Sequence, residues 1–401
     1  MSAQQNNKKG NGGKKSSNKK DVAAAAGAGA LAGFFLGRAS KGKGKIILWI
    51  AEVVILVGLV VALAFILKTT DEEDGLTKID IEEPSTNPGV GEHWTNNEEL
   101  QKFTNIALFG VDARNSKLES GTRSDTIMIL SVNNETGEAK LVSVYRDTYL
   151  NLGNDVYNKC NAAYAKGGPE QAISMLNMNL DLYITDFVTI GFEGLMEVVD
   201  AVGGVEIDIK ENEIVHLNNY QASMYATEAQ PDKITNDYVP ITEPGVQTLS
   251  GYQAVAYCRI RAVGNDFGRT ERQRNVLQAV LNKAQTASPD KLAEIAESVF
   301  PLIATSLDID EILGLVSKVN SYKIVGSTGF PFDTNITTGK IGSKGSCVIP
   351  LDLSTNVELL HEYLYPGVEY TPSPEVLQYS QIIESDTSPY VGSMQPNEEL
   401  N

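Results

Sequence analysis

Histidine and cysteine are scarce in this 401-residue chain, and each shortage closes a branch of chemistry. The three histidines, His93, His216 and His361, lie far apart and outside every polar cluster, which argues against catalysis built on a histidine base. The three cysteines, Cys160, Cys258 and Cys347, are too few and too scattered for a disulfide framework or a structural zinc site. Their odd number leaves at least one free thiol. The glycine-rich stretches have no Gly-Lys-Ser/Thr ending, so there is no P-loop. Positive charge is thin beyond the first 45 positions. The formal net charge is -18, yet residues 1–45 alone hold ten Lys/Arg and one acid. The part after residue 68 is therefore about 27 units negative. Such a body repels nucleic acid, whose binding rests on neutralising phosphates, so no nucleic-acid partner is expected.

One long apolar run is present. Between Lys45 and Lys68 lies IILWIAEVVILVGLVVALAFIL, about 22 residues, near the roughly 20 that cross a bilayer core. Trp49 falls where an interfacial aromatic belongs, and Glu52 sits within two turns of one end. The run exceeds the apolar core of a signal peptide, and no small-residue cleavage site follows it. Lysines precede the span and acids follow it, which places the N-terminus in the cytoplasm and the body outside the cell membrane. A weaker stretch, Ala23–Leu36, is too short for a second span.

The expected organisation is a basic, largely disordered tail over 1–45, a transmembrane helix over 46–67 and an extracellular linker over 68–100. A catalytic domain over 101–285, an extension over 286–370 packed on it, and a disordered acidic tail over 371–401 complete it. Within the domain, TNIALFGVD, DTIMILSVN and AKLVSVY read as strands, the last two joined by the polar turn NNETGE. PEQAISMLNMNL and FEGLMEVVDAV read as helices, with LYITDFVTI and VEIDI as strands. Residues 211–245 show no clear period and read as a long excursion. Ser250 and Gln253 form a capping-box pattern. YCRIR reads as a strand with Tyr257, Arg259 and Arg261 on one face. A helix follows Gly268. Alternating strands and helices imply an α/β, α–β–α sandwich around a central mixed sheet.

Against the acidic background the arginines cluster. Arg114 follows Asp112, Arg123 precedes Asp125, Arg146 precedes Asp147, Arg259 and Arg261 stand together, and Asp266, Arg269, Arg272 and Gln273 lead into a helix. Each group falls at a strand end or helix start. Arginine's rigid fork suits phosphate oxygens, and several forks together suit a pyrophosphate. The free N–H groups of a helix starting at Gly268 would add to such an anion site. Asp112, Asp125 and Asp266 are the carboxylates beside these arginines, and two carboxylates with substrate phosphates are a usual way to hold Mg²⁺. The competing reading is a set of solvated arginines paired with nearby acids.

The blocks FGVDAR, RSDTIMILSV, LVSVYRDTYL, YNKCNAAYAKGGPEQA, DFVTIGFEGLMEVVDAVGGVEIDI, LSGYQAVAYCRIR and DFGRTERQRNVLQAVL resemble the LytR–CpsA–Psr family, in order, from about Phe103 to Ala284. The resemblance implies a mixed sheet between helices with an apolar pocket for a prenyl chain. It implies a phosphotransferase that moves a glycopolymer, teichoic acid or capsule, from a polyprenyl-pyrophosphate carrier in the membrane to peptidoglycan in Gram-positive cell-wall assembly. Carried over by position, it implies Mg²⁺ at Asp112 and Asp125, and pyrophosphate contacts from Arg123, Arg146, Lys159, Arg259, Arg261, Arg269 and Gln273. Arg146, Asp266 and Arg269 would take part in the chemistry, with Asp266 assisting the arginines or the incoming hydroxyl. One departure is Tyr145, where many members carry proline. A hydrolase of the same pyrophosphate-linked lipids, and a non-catalytic regulator that binds them, are the alternatives.

Overall fold

The computed structural model describes residues 77–81, 84–111, 118–225, 238–284, 286–287, 291, 294–295, 298–308, 311 and 323–392. The expected tail over 1–45 and span over 46–67 fall outside them. Among the described residues, no helix is long and apolar enough to cross a membrane.

The strands are β1 (Thr77–Lys78), β2 (Phe103–Val111), β3 (Ser124–Asn133), β4 (Glu138–Val144), β5 (Tyr149–Asn151), β6 (Tyr157–Lys159) and β7 (Asp186–Gly191). They continue as β8 (Val205–Ile209), β9 (Gly245–Leu249), β10 (Ile303–Thr305), β11 (Lys323–Phe330), β12 (Ile336–Ile341) and β13 (Gly345–Pro350). The helices are α1 (Val90–Asn96), α2 (Ala162–Leu180), α3 (Phe192–Ala201) and α4 (Glu211–Tyr225). They continue as α5 (Gly251–Cys258), α6 (Asn265–Ala284), α7 (Leu353–Leu364) and α8 (Pro374–Thr387). Seven strands form the central sheet in the order β1-β10-β7-β2-β3-β4-β11.

Alternation along the strands builds two cores. Ile106, Leu108, Met128, Leu130 and Leu141 face one side, where Val199, Leu217, Ala254 and Val280 of α3–α6 cover them. Ala107, Phe109, Ile127, Ile129 and Val142 face the other, under Leu176, Leu360 and Ile383 of α2, α7 and α8. Each such side chain contributes about 1.5–3 kcal/mol when fully buried. The sheet is mixed, as expected: β2 runs parallel to β7 and β4 parallel to β11, while β2–β3 and β3–β4 are antiparallel. These pairings point β2, β4, β7 and β11 the same way, so their C-terminal ends share one sheet edge with the start of β3. Open α/β sheets hold ligands at such an edge.

Several sequence expectations need correction. YCRIR is not a strand: the capping box is formed, with Gln253 N–H donating to Ser250 Oγ, and the helix it opens runs through Tyr257 and Cys258. Its apparent period of two was a helix end whose Ala254, Val255, Ala256, Tyr257 and Cys258 are all buried. The excursion over 211–245 opens with a helix, Glu211–Tyr225, and ends where β9 begins. The buried stripe of α4 is Glu213, Leu217 and Gln221, four apart but mostly polar, so hydropathy could not show it. The helix expected after Gly268 begins earlier, at Asn265, and the Gly268 N–H already donates to the Gly264 carbonyl at 2.7 Å. No free helix start therefore exists at Gly268.

The domain limits shift as well. β10 and β11 belong to the central sheet, so the division at residue 285 cuts through it. Part of the expected linker is structured, because Trp94 of α1 is buried edge-on against Tyr365, their rings 5.0 Å apart. The expected acidic tail holds α8. Ser373 caps it, Val376 and Ile383 bury one side, and Asp386 accepts a 2.9 Å hydrogen bond from the Tyr149 hydroxyl.

Candidate functional site

The sheet edge that collects the strand ends opens into a cavity of about 470 Å³. Arg123, Arg146, Arg259, Arg261, Arg269, Gln273 and Asp125 all line it. Residues spread over 150 positions of sequence thus converge, as the anion-site reading requires.

Each arrives by a different route. Arg123 comes from the loop into β3, and Asp125 is the second residue of that strand. That loop is braced by α2, where Gly167 and Gly168 break the helix before Pro169. Gly168 has φ +66°, and a Cβ there would collide with the Glu119 carbonyl oxygen. The Tyr164 hydroxyl donates to the Leu118 carbonyl and holds the same loop from below. Arg146 follows β4 in a tight turn, with Thr148 N–H on the Tyr145 carbonyl at 2.9 Å. Its carbonyl accepts from Asn161 N–H at 3.0 Å, and β13 takes the next carbonyl through Val348 N–H at 2.9 Å. Tyr145 itself packs edge-on against Phe267 of α6, ring centroids 4.5 Å apart, and lies over Gly329, where a Cβ would strike its hydroxyl. A glycine on β11 thus makes room for Tyr145.

Arg259 and Arg261 leave the C-terminal end of α5. Arg269 and Gln273 lie four apart on α6 and so share a face. Asp266 is in the first turn of α6, and its side chain lies outside the described residues, as do Asp112 and Arg114. Lys159 does not line the cavity. It pairs with the buried Asp147 at 3.4 Å, and Arg146 Nε lies 3.8 Å from the same carboxylate.

Among the described residues, charge in the cavity is lopsided: five guanidinium groups face the carboxylate of Asp125. Burial pushes the Asp125 carboxyl up, but Arg146, Arg269 and Arg261 together outweigh it and hold it below its ordinary value. Arg146 donates to its carboxylate, and Arg269 Nη2 donates to its backbone carbonyl at 3.0 Å. Cys258 also lines the wall; burial pushes its thiol up to about 12, although Arg269 and Arg272 pull the other way, so it adds no negative charge. Among the described residues, no carboxylate comes within 4.0 Å of Arg123, Arg259 or Arg261. An enclosure with this imbalance attracts an anion carrying more than one charge.

Two aromatic lining residues were missed from sequence. Phe192 opens α3 directly after β7, and the strand-end pattern that marked Arg146 could have found it. Tyr220 lies on α4, in the stretch read as irregular, and no sequence signal marked it. Arg272, grouped with the cluster, is instead fully engaged: it pairs with Glu213 at 2.8 Å and donates to the Ile260 and Val263 carbonyls at 3.1 and 2.7 Å.

The LytR_cpsA_psr family model matches residues 64–344. The chain is 28% identical over 281 residues to the polyisoprenyl-teichoic acid–peptidoglycan teichoic acid transferase TagV of Bacillus subtilis, covering 68% of this chain and 66% of that protein. It is 31% identical over 253 residues to the protein of the same title, TagU, from Oceanobacillus iheyensis, covering 61% of this chain and 68% of TagU. The matches thus span about two thirds of these relatives' lengths. The crystal structure of B. subtilis TagV superposes with a TM-score of 0.51 at 27% identity, over 68% of this chain and 99% of that one.

Proposed function

We propose that this chain, which belongs to the LytR_cpsA_psr family, transfers a glycopolymer from a polyprenyl-pyrophosphate carrier to peptidoglycan. The observation that carries the reading is the convergence of five arginines on one cavity in which, among the described residues, Asp125 is the one carboxylate. A pyrophosphate presents several negative charges on two adjacent centres, and paired guanidinium forks match that arrangement. The transferase names of TagV and TagU specify the donor class and the acceptor.

In this reading an acceptor sugar hydroxyl attacks the phosphorus next to the glycopolymer. The bond from that phosphorus to the bridging oxygen breaks, polyprenyl phosphate leaves, the hydroxyl proton is lost and a phosphodiester remains. Such a transfer depends chiefly on alignment and on stabilising charge at the phosphate oxygens. Arg146 and Arg269 are buried and anchored on Asp125, so their donors are already oriented before the donor lipid arrives. Arg123, Arg259, Arg261 and Gln273 complete the grip. Asp266 assists the arginines or the incoming hydroxyl.

Mg²⁺ fits this donor set: the Asp125 carboxyl, held ionised by its arginines, offers the hard oxygen that the ion takes together with substrate phosphates. Asp125 and Asp112 would hold it, and bound there it would neutralise charge on the phosphate oxygens. The apolar run over 46–67 would span the cell membrane once, N-terminus inside, and keep the cavity near the lipid carrier.

The test uses the purified full-length chain with a lipid-linked polymer donor, with and without peptidoglycan. Covalent attachment to peptidoglycan is expected, and it should disappear when the acceptor is withheld. Release of free polymer at the same rate without acceptor would instead identify a hydrolase.

A further inference from the structure

Arg259 differs from the other cavity arginines in what holds it. Its guanidinium carbon lies 5.2 Å from the centroid of the Phe192 ring and 5.7 Å from that of Tyr220. Both rings also line the cavity. Among the described residues no carboxylate lies within 4.0 Å of Arg259. An acidic partner would orient the fork but cancel its charge. An aromatic face orients it through the ring quadrupole and leaves the charge intact. The rings come from separate elements, Phe192 from the first turn of α3 at the β7 end and Tyr220 from the middle of α4. Arg259 sits at the C-cap of α5, where the end of the helix also favours a cation.

We infer that Phe192 and Tyr220 are positioning residues that hold Arg259 in place, still charged, for the donor's pyrophosphate. The inference rests on the pyrophosphate reading above. It assigns part of the binding of the phosphates to an arginine oriented by two aromatic rings, and it predicts that the rings act only through the arginine.

The experiment is a binding titration of the full-length chain in detergent with geranyl pyrophosphate, in two backgrounds. In the wild type, Tyr220→Leu and Phe192→Leu should each weaken binding roughly fivefold to tenfold, and Tyr220→Phe should stay within about twofold. In an Arg259→Ala background the leucine variants should add less than about twofold, since the group they position is gone. A series at position 220, Tyr220→Phe and then its difluoro and pentafluoro derivatives, keeps the ring's shape while draining charge from its face. Affinity should fall stepwise with fluorine, whether or not the leucine variants fold. Equal losses in both backgrounds, or a flat fluorine series, would overturn the clamp while leaving the pyrophosphate reading in place. Failure of the wild type itself to bind geranyl pyrophosphate would overturn that reading, and the clamp with it.

Discussion

Arg269 and Arg272 stand one turn apart on α6, both are buried, and they end in opposite circumstances. Arg272 is closed off by Glu213 and two backbone carbonyls, so its charge is spent inside the protein. Arg269 faces the cavity beside Arg123, Arg146, Arg259 and Arg261, with one carboxylate among the described residues there. The difference separates an arginine that only fastens elements together from one that also lines the cavity. Burial alone would not distinguish them.

The sharpest probe of that distinction is Arg146→Ala. Loss of a pre-oriented donor at a reacting phosphate should lower kcat/KM for transfer by about 10²–10³, with folding retained. A steady-state assay that finds activity within tenfold of wild type would erase the difference between the two classes. Arg272→Ala should do the reverse. It leaves Glu213 buried and unpaired, which costs about 3–5 kcal/mol of stability, while the folded protein keeps most of its activity. Denaturation should show the double variant Arg272→Met with Glu213→Leu recovering most of that loss, since an apolar pair can replace a buried ion pair.

Lys159 tests the boundary between the classes. Paired with Asp147 behind Arg146, it should act through the turn that carries Arg146, so Lys159→Met should lower activity by roughly tenfold or less. A loss as deep as that of Arg146→Ala in the same assay would return it to the pyrophosphate contacts. The smallest effect concerns pH. The Asp125 carboxyl is held below its unfolded value of about 3.9, so its pairing stabilises the fold fully above that value and the stabilisation fades as pH falls through the lower folded one. The stability gap between wild type and Arg146→Ala should be constant from about pH 5 to 8 and shrink below about pH 4. A gap that closes near neutrality in pH-dependent denaturation would trace it to another group.

Much of this was legible in the residues. Apolar runs in DTIMILSVN and AKLVSVY on either side of the polar turn NNETGE mark β3 and β4, and arginines at strand ends mark the anion site. Legibility failed where polar groups do the work of apolar ones. α4 buries Glu213 and Gln221, and the ion pair with Arg272 that justifies this is formed across 59 positions. α8 reads as a tail in the sequence because contacts that fix it, such as Tyr149 to Asp386 and Ser373 to Asp181, join distant positions. YCRIR misled because five residues cannot separate a helix end from a strand. The partner of Lys159 was also beyond reach, since an ion pair with Asp147 and a contact with phosphate require the same residue type.

The most direct measurement is native mass spectrometry of the full-length chain extracted gently from its membrane. Wild type should carry a polyprenyl pyrophosphate species, and a chain with Arg259→Ala and Arg261→Ala should carry none. Equal lipid in both, or a lipid without phosphate, would contradict the assignment of the arginine cavity to a doubly phosphorylated headgroup.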